Sequence, residues 1–290
     1  MHKTILVTGG AGFVGSRLCE RLVKEGHRVI SLDNYFTGSR EKKVAGVEYR
    51  EGHTKDIATL IPEQIDLLYH LGEYARVEQS LGEPAVVWDS NVAGTFAVLE
   101  FWRTRNLAGK PCKLVYAGSS TKFGDGGLAR VATPYAWTKA ANTELVKNYA
   151  TWYNLPFAIT YFYNVYGPGE RAGKYGTVIE IFRQLRASGK PISVTSPGTQ
   201  KRNFTHVDDI VEGLVLVGEK GEGEEYGLGD ERQYSILDIA KFFGGEVVMA
   251  PEKAGNRMQS TVDVTKSKQL GWSATRSIED YIRSIVASSA

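Results

Sequence analysis

The chain has 290 residues, 42% hydrophobic and 23% charged, with 35 Lys+Arg against 33 Asp+Glu and a formal net charge of +2. At roughly 150 residues per domain, that length suits about two domains and a core that needs no metal or disulfide staple. The balanced charge gives no support to a nucleic-acid binder, Cys19 and Cys112 are too few and too distant for a disulfide framework or a Cys-rich zinc site, and no run approaches the ~20 apolar residues of a membrane span.

MHKTILVTGG runs straight into a strand and a glycine turn, not a signal peptide, so a cytoplasmic protein is expected, with no nucleic acid, membrane or metal. Thr4 to Val7 is an apolar, β-branched run and predicts the first strand. Gly9 to Gly15 reads as a turn. Arg17 to Glu25 has helical spacing, with Leu18 and Leu22 on one face and Gly26 ending it. Arg28 to Leu32 comes next as a second strand, completing the opening of a βαβ unit. Ile65 to His70 predicts a further strand, Val86 to Arg103 a helix, Cys112 to Ala117 a strand, Trp137 to Trp152 a helix and Pro156 to Phe162 a strand. This alternation argues for an open parallel sheet covered by helices. After Tyr166 the composition shifts, and GPGERAGKYG reads as a boundary loop. Val178 to Ala187 and Val207 to Lys220 predict helices, Pro191 to Thr195 a strand, and Ile278 to Ser288 a final helix, with short strands from Tyr226 onward. The expected division is a nucleotide-binding domain over 1–166, with 203–220 packing back onto it, and a smaller region over 167–290.

Gly9, Gly12 and Gly15 stand in a G-x-x-G-x-x-G spacing after a strand and at the opening of a helix. Glycine permits a tight turn and close approach to a pyrophosphate, and the helix offers unpaired N–H groups. Asp33 lies about twenty residues on, at the end of the second strand, where its carboxylate suits the two ribose hydroxyls of NAD and repels the 2′-phosphate of NADP. Arg40 could still accommodate a phosphate, so NAD is preferred.

Tyr135 and Lys139 form a Tyr-x-x-x-Lys pair whose side chains share a helix face. An ammonium near a phenol favours the phenolate, which can take a hydroxyl proton or return one while hydride passes to or from NAD. The preceding run AGSST brings the hydroxyls of Ser119, Ser120 and Thr121 to a strand end, where one can bond a substrate oxygen whose charge changes.

With TGGAGFVGS, YHLG, DSNVAGT, AGSSTKFG, PYAWTK, YFYNVYGPG, RNFTHVDD and DVTKSKQLGW, nearly the whole chain resembles the extended short-chain dehydrogenase/reductase family, in its group of nucleotide-sugar epimerases and dehydratases and nearest to UDP-hexose 4-epimerases. The resemblance implies a Rossmann-type doubly wound parallel α/β sheet with a smaller mixed α/β C-terminal substrate domain. It implies a catalytic set of Ser119, Tyr135 and Lys139, with Tyr135 as base, Ser119 on the C4 oxygen and Lys139 also holding the nicotinamide ribose. NAD contacts are expected from Gly9, Gly12, Phe13, Val14, Gly15, Asp33, Asn34, His53, Leu71, Asn91 and Lys139. Substrate contacts are expected from Thr121, Asn164, Lys174, Arg202 and Arg257. A homodimer is implied, packing the helices over Val86–Arg103 and Trp137–Trp152 through residues such as Phe96, Leu99, Trp102 and Trp152. Tyr163, Tyr166 and Tyr175 are further candidates for lining the sugar site.

The chain departs from the family at several points. His53 stands where an Asp usually meets the adenine amino group. Glu73 stands where the resemblance predicts a small Ala, beside the cofactor, and an anion there could pair with a lysine or arginine or affect substrate choice. The loop from Gly124 to Thr133 is short. Lys253-Ala254-Gly255-Asn256 replaces an expected Arg-Pro-Gly-Asp, with Arg257 as a substitute for the arginine. Dehydratases of the family place Asp-Glu after the catalytic threonine, whereas Thr121 is followed by Lys122 and Phe123. The resulting expectation is 4-epimerisation of a UDP-linked hexose through a transient 4-keto sugar. The alternatives are a nucleotide-sugar dehydrogenase or ketoreductase, a 4,6-dehydratase, or a catalytically silent NAD-binding scaffold.

Overall fold

The computed structural model describes residues 2–41, 43–171, 173–252 and 262–288. Apolar runs bounded by glycine turns form strands buried on both faces: β1 (Thr4–Thr8), β2 (Arg28–Asp33), β4 (Leu67–His70), β5 (Lys113–Ser119) and β6 (Phe157–Phe162), with β3 (Val47–Glu51) and β7 (Gly223–Leu228) at the edges. All seven run parallel in the order β7-β6-β5-β4-β1-β2-β3. The sequence pattern did not reveal β3. Its VEYRE run is charged because it is an edge strand, half-buried over most of its length, where charge discourages pairing with another chain.

Helices cover both faces. On one, α1 (Phe13–Lys24) sets Leu18, Cys19 and Leu22 against Ile5, Val7 and Val29, beside Ile210, Leu214 and Val217 of a later helix. On the other, α2 (Gly94–Leu107) and α3 (Pro134–Tyr153) bring Val98, Leu99, Trp102, Val146 and Tyr149 onto Leu6, Leu68, Leu114 and Tyr116. The helix expected over 86–103 runs from Pro84 to Leu107 with a π turn at Trp88–Ala93. Leu99 and Trp102 are fully buried core residues and cannot face a partner, whereas Phe96 and Trp152 are exposed. Cys19 and Cys112 are buried and free.

The smaller unit has its own core, in which Ile179 and Phe182 of α4 (Val178–Ala187) meet Ile192, Val194, Phe204, Ile239 and Phe243, closed by Ile278 and Ile282. Its helices α6 (Ile236–Phe243) and α7 (Ile278–Ala287) start on the serine caps Ser235 and Ser277. Two segments of the 167–290 region lie with the large sheet. Helix α5 (Val207–Lys220) packs on α1, and β7 extends the sheet beside β6. Among the described residues, no helix is long and apolar enough to cross a membrane.

Asp209, in the first turn of α5, is fully buried. Its carboxylate accepts the Thr275 N–H at 3.1 Å, the Thr275 hydroxyl at 3.0 Å, the Arg276 N–H at 3.0 Å and the Arg276 guanidinium. One acid thus ties the sheet layer to the segment leading into α7. Replacing Asp209 with Ala strands these donors and is expected to cost about 3 kcal/mol, read as a lower urea midpoint.

Candidate active site

A cavity of about 630 Å³ lies at the C-terminal ends of the parallel strands, against the smaller unit, in the range of small-ligand sites. It sits where the strand order reverses, between β1 and β4. Gly9 comes directly after β1 with a φ of +74°, and a Cβ there would come within 2.9 Å of the Leu71 and Gly72 backbone. A Cβ on Gly15 would lie 2.1 Å from the Gly9 carbonyl oxygen. Glycine at these positions lets the ends of β1 and β4 meet and presses the first turn of α1 onto the loop. No side chain caps α1 and no acid stands in its first turn, so its positive end opens on the cavity through Gly12, Phe13, Val14 and Gly15.

Asp33 lines the same cavity from the end of β2. Its Oδ2 accepts the Ala11 N–H at 2.9 Å and its Oδ1 the Tyr35 N–H at 2.7 Å. Burial raises its pKa above the usual carboxylate value, against the opposing pull of those two N–H groups. Each oxygen keeps a lone pair for a ribose hydroxyl. A cradle only glycine can line, a bare helix start and an acid at the second strand's end fit a dinucleotide. Arg40 is absent from the lining. It pairs with Glu51 and stacks 4.5 Å over the Tyr35 ring, so it is committed away from a 2′-phosphate.

Asn34, His53 and Leu71 also line the cavity. His53 Nδ1 accepts the Lys55 N–H at 3.1 Å and its Nε2 lies 3.3 Å from Asp89. Burial pushes its pKa down, which keeps the ring neutral. With both nitrogens engaged, the ring offers an adenine its face rather than an acceptor. Asn91 is not in the lining. It sits fully buried in the π turn, accepts the Tyr74 N–H at 2.7 Å and donates to the Tyr74 carbonyl and the Thr138 hydroxyl. It braces the chain beside the cavity instead of reaching into it.

The hydroxyl residues converge at the end of β5. Tyr135 donates to Ser119 Oγ at 3.1 Å, and Thr121 donates to the same oxygen at 3.0 Å. Thr133 caps α3 by accepting the Ala136 N–H, and Pro134 occupies its first turn, so Tyr135 leaves the helix at its very start. Lys139, one turn on, donates to the Ala117 carbonyl and pairs with Glu73. Ser119, Thr121, Tyr135 and Lys139 all line the cavity that holds the glycine turn.

Of the expected substrate contacts, Asn164 and Arg202 line the cavity. Asn164 adopts a φ of +35° and anchors its amide on the Asn203 carbonyl at 2.8 Å. Lys174 does not line it. Its ammonium pairs with Glu83, which also accepts the hydroxyls of Tyr74 and Tyr175. Tyr163 and Tyr166 are core residues. Arg257, with Lys253 to Asn256, lies outside the described residues.

The structure adds residues that sequence reasoning missed. Arg76 lines the cavity, donating to the Tyr175 carbonyl at 2.6 Å and the Ala75 carbonyl at 2.8 Å. Burial lowers its pKa from the ordinary arginine value. Behind Lys139, Glu73 accepts Thr95 Oγ1 at 2.6 Å, Asn142 Nδ2 at 2.7 Å and the Tyr116 hydroxyl at 3.0 Å. Thr95 Oγ1 also meets His70 Nε2 at 2.9 Å, and His70 Nδ1 meets Thr8 Oγ1 at 2.7 Å. Because a carboxylate only accepts, Thr95 must donate to Glu73 and accept from His70 Nε2–H. That assigns the tautomer and leaves Nδ1 to accept from Thr8. The signal for this network was Glu73 itself, an acid just past an apolar strand end.

The sequence model of the NAD dependent epimerase/dehydratase family matches residues 5–229. A UDP-N-acetyl-alpha-D-glucosaminuronate decarboxylase of Bacillus cytotoxicus is 30% identical, over 83% of this chain and 79% of its own. The crystal structure of the Thermotoga maritima UDP-glucose 4-epimerase with UDP-glucose superposes with a TM-score of 0.89 at 26% identity, covering 98% of this chain and 97% of that one. The Thermus thermophilus UDP-glucose 4-epimerase, solved with NAD, gives 0.87 at 27% identity over 99% and 98%. The fold and site thus define an enzyme of the Rossmann class that works on nucleotide sugars. The chain belongs to the NAD-dependent epimerase/dehydratase family, within the extended short-chain dehydrogenases/reductases.

His70 is fully buried, and burial pushes its pKa down to about 4, only partly offset by Glu73. Between pH 4 and 6.5 the unfolded chain binds the proton that folded His70 refuses, so stability rises with pH across that window and is lost as pH falls through it. Urea unfolding at pH 6.5 and pH 4 is expected to show this group's share as ~3 kcal/mol. A His70→Gln variant should have a correspondingly shallower pH dependence.

Proposed function

We propose that the protein inverts C4 of a nucleotide-linked hexose, with a uridine nucleotide, and keeps NAD bound through the cycle. The observation that carries this reading is the hydrogen-bonded set of Ser119, Thr121 and Tyr135 opening on the cavity that holds the glycine turn. Bound NAD would accept hydride from C4 and return it. The chain's own residues control protons and position. Gly9 to Gly15 and Asp33 hold the dinucleotide, and Asn164 and Arg202 face the sugar diphosphate. Tyr135 takes the 4-hydroxyl proton and gives it back. Ser119 donates to the C4 oxygen as charge grows there. Lys139 holds a positive charge one helical turn from the tyrosine.

Epimerisation is favoured over 4,6-dehydration by the two residues after Thr121. Lys122 reaches the Tyr161 hydroxyl at 3.2 Å and Glu224 at 3.3 Å, and Phe123 packs edge-on against Tyr161. Neither belongs to the cavity lining, so no acid stands directly after Thr121 to move the C5 proton. Two relatives with the same fold are UDP-glucose 4-epimerases over almost the whole chain.

A hexuronic acid is a second reading of the sugar, favoured by Arg76. Among the described residues no carboxylate pairs with this cavity-lining cation, whose hydrogen bonds go to main-chain carbonyls. The B. cytotoxicus relative is a decarboxylase of a uronate.

Support for a homodimer comes from the outward face of α2 and α3. Trp88, in the π turn before α2, and Trp137 of α3 stack at 6.1 Å while half-exposed, and Phe96 on α2 and Trp152 on α3 are exposed as well. Such a patch marks an interaction surface.

An NMR time course with UDP-glucose, UDP-glucuronate and other nucleotide hexoses, without added NAD, is expected to give the C4 epimer of one of them. A 4-keto product formed only on adding free cofactor would replace this reading with a dehydrogenase. Tyr135→Phe is expected to cut turnover by at least ~100-fold while leaving NAD affinity within about threefold. Light scattering should give twice the 31.9 kDa chain mass, falling to one chain in a Phe96→Glu/Trp152→Glu variant.

A further inference from the structure

We propose that Glu73 is a positioning residue that cancels the charge of Lys139 and so raises the pH at which Tyr135 becomes a base. The proposal rests on the roles given above to Tyr135 and Lys139.

Both partners of this ion pair are buried, and the carboxylate is fully engaged. The Glu73 side chain is 3% exposed and that of Lys139 is 7% exposed. Lys139 donates to Glu73 Oε2 and to the Ala117 carbonyl. Thr95, Asn142 and Tyr116 fill the remaining lone pairs of the carboxylate. Burial by itself would raise the Glu73 pKa, but the Lys139 charge and the hydrogen bonds from Lys139 and Thr95 outweigh it and hold the carboxyl below its ordinary value. The acid is therefore ionised at neutral pH.

The groups packed around the pair do not restore a net charge. From β4, His70 is neutral, its pKa pushed down by burial. From β5, Tyr116 is buried and stays protonated, its pKa raised first by burial and then by Glu73. Thr95 and Asn142, from α2 and α3, are neutral. On the cavity side, Tyr135 itself meets Ser119 and lies within the field of Arg76. Lys139, four residues after Tyr135 on α3, thus sits in an ion pair and not as a lone ammonium.

The difference matters because a lone charge and a dipole act differently. A positive charge one turn away favours the phenolate. Set against an anion, its field at the phenol is reduced. A tyrosine left with a higher pKa ionises at higher pH but takes the substrate proton more strongly once ionised. The resemblance places a small Ala at this position, which would leave the lysine charge uncompensated. This chain has instead built an acceptor for it.

The test is an ultraviolet titration of phenolate absorbance in the protein without substrate. The chain has 15 tyrosines, so Tyr135 is isolated by subtracting the Tyr135→Phe curve from that of the wild type, and the same subtraction is made in a Glu73→Gln background. The Tyr135 midpoint is expected to fall by about one pH unit in Glu73→Gln, tenfold more phenolate at a given pH. Glu73→Asp, which keeps the charge, should stay near the wild-type midpoint. An unchanged midpoint in Glu73→Gln overturns the proposal. So does a rise, which would mean that Lys139 loses its proton once the carboxylate is gone. If Glu73→Gln does not fold, Glu73→Ala/Tyr116→Phe removes the acid together with the hydroxyl it would strand and gives the same reading. Because no substrate is used, a substrate panel that yields no epimer would sink the epimerase reading and leave this midpoint readable.

Discussion

The site depends on how closely the ends of β1 and β4 approach each other. Gly9 and Gly72 meet backbone to backbone, at a distance that leaves no room for a Cβ on Gly9. That approach sets the glycine loop beside the turn carrying Leu71, Gly72 and Glu73, and it opens the crevice in which α1 presents its bare N-terminus. Thr8 and His70 are paired directly across the two strands, and the Thr8 hydroxyl takes the Gly72 N–H as well as bonding His70. The close packing that shapes the glycine turn also starts the hydrogen-bond chain that ends at Lys139. The glycine turn and the Glu73–Lys139 pair are built on one backbone contact.

The second constraint is the division of charge around the cavity. Several cations near it are committed elsewhere. Arg40 goes to Glu51, Lys174 to Glu83, and Lys122 to Glu224. Arg76, in the lining itself, is held instead by carbonyls that orient it without neutralising it. A guanidinium fixed in this way keeps its charge for an incoming anion and loses little freedom on binding it.

Local pattern made part of this legible in the sequence. The Gly9–Gly12–Gly15 spacing, Asp33 and the Tyr135–Lys139 pair are short-range relations, and the structure sets all of them on one cavity. The Ser119–Tyr135 contact was reached through the family resemblance, since nothing in a sixteen-residue separation specifies it. Other relations were out of reach for physical reasons. A lysine or arginine partner for Glu73 was among the expectations, but which one was not, since Lys139 is 66 positions away and meets it only because β4, β5 and α3 pack together. Helical spacing could not tell which apolar residues of α2 face the sheet, because Phe96 on its outer side is as apolar as Leu99 and Trp102 on its inner side. Asn91 lies buried within a π turn, and a regular 3.6-residue reading has no way to anticipate that extra residue. β3 carries its edge character as charge, and so did not look like a strand.

The acid at position 73 also binds the fates of its neighbours together. Without Tyr116 and Asn142 the carboxylate would keep Lys139 and Thr95 but lose two of its donors, and without the acid Tyr116 and Asn142, each directed at it, would lose that acceptor. Every such orphan costs about 1–3 kcal/mol, a large share of the margin by which a domain stays folded. Glu73, Tyr116 and Asn142 therefore form a set whose members depend on one another's presence, so changing one alone costs more than its share of changing all three.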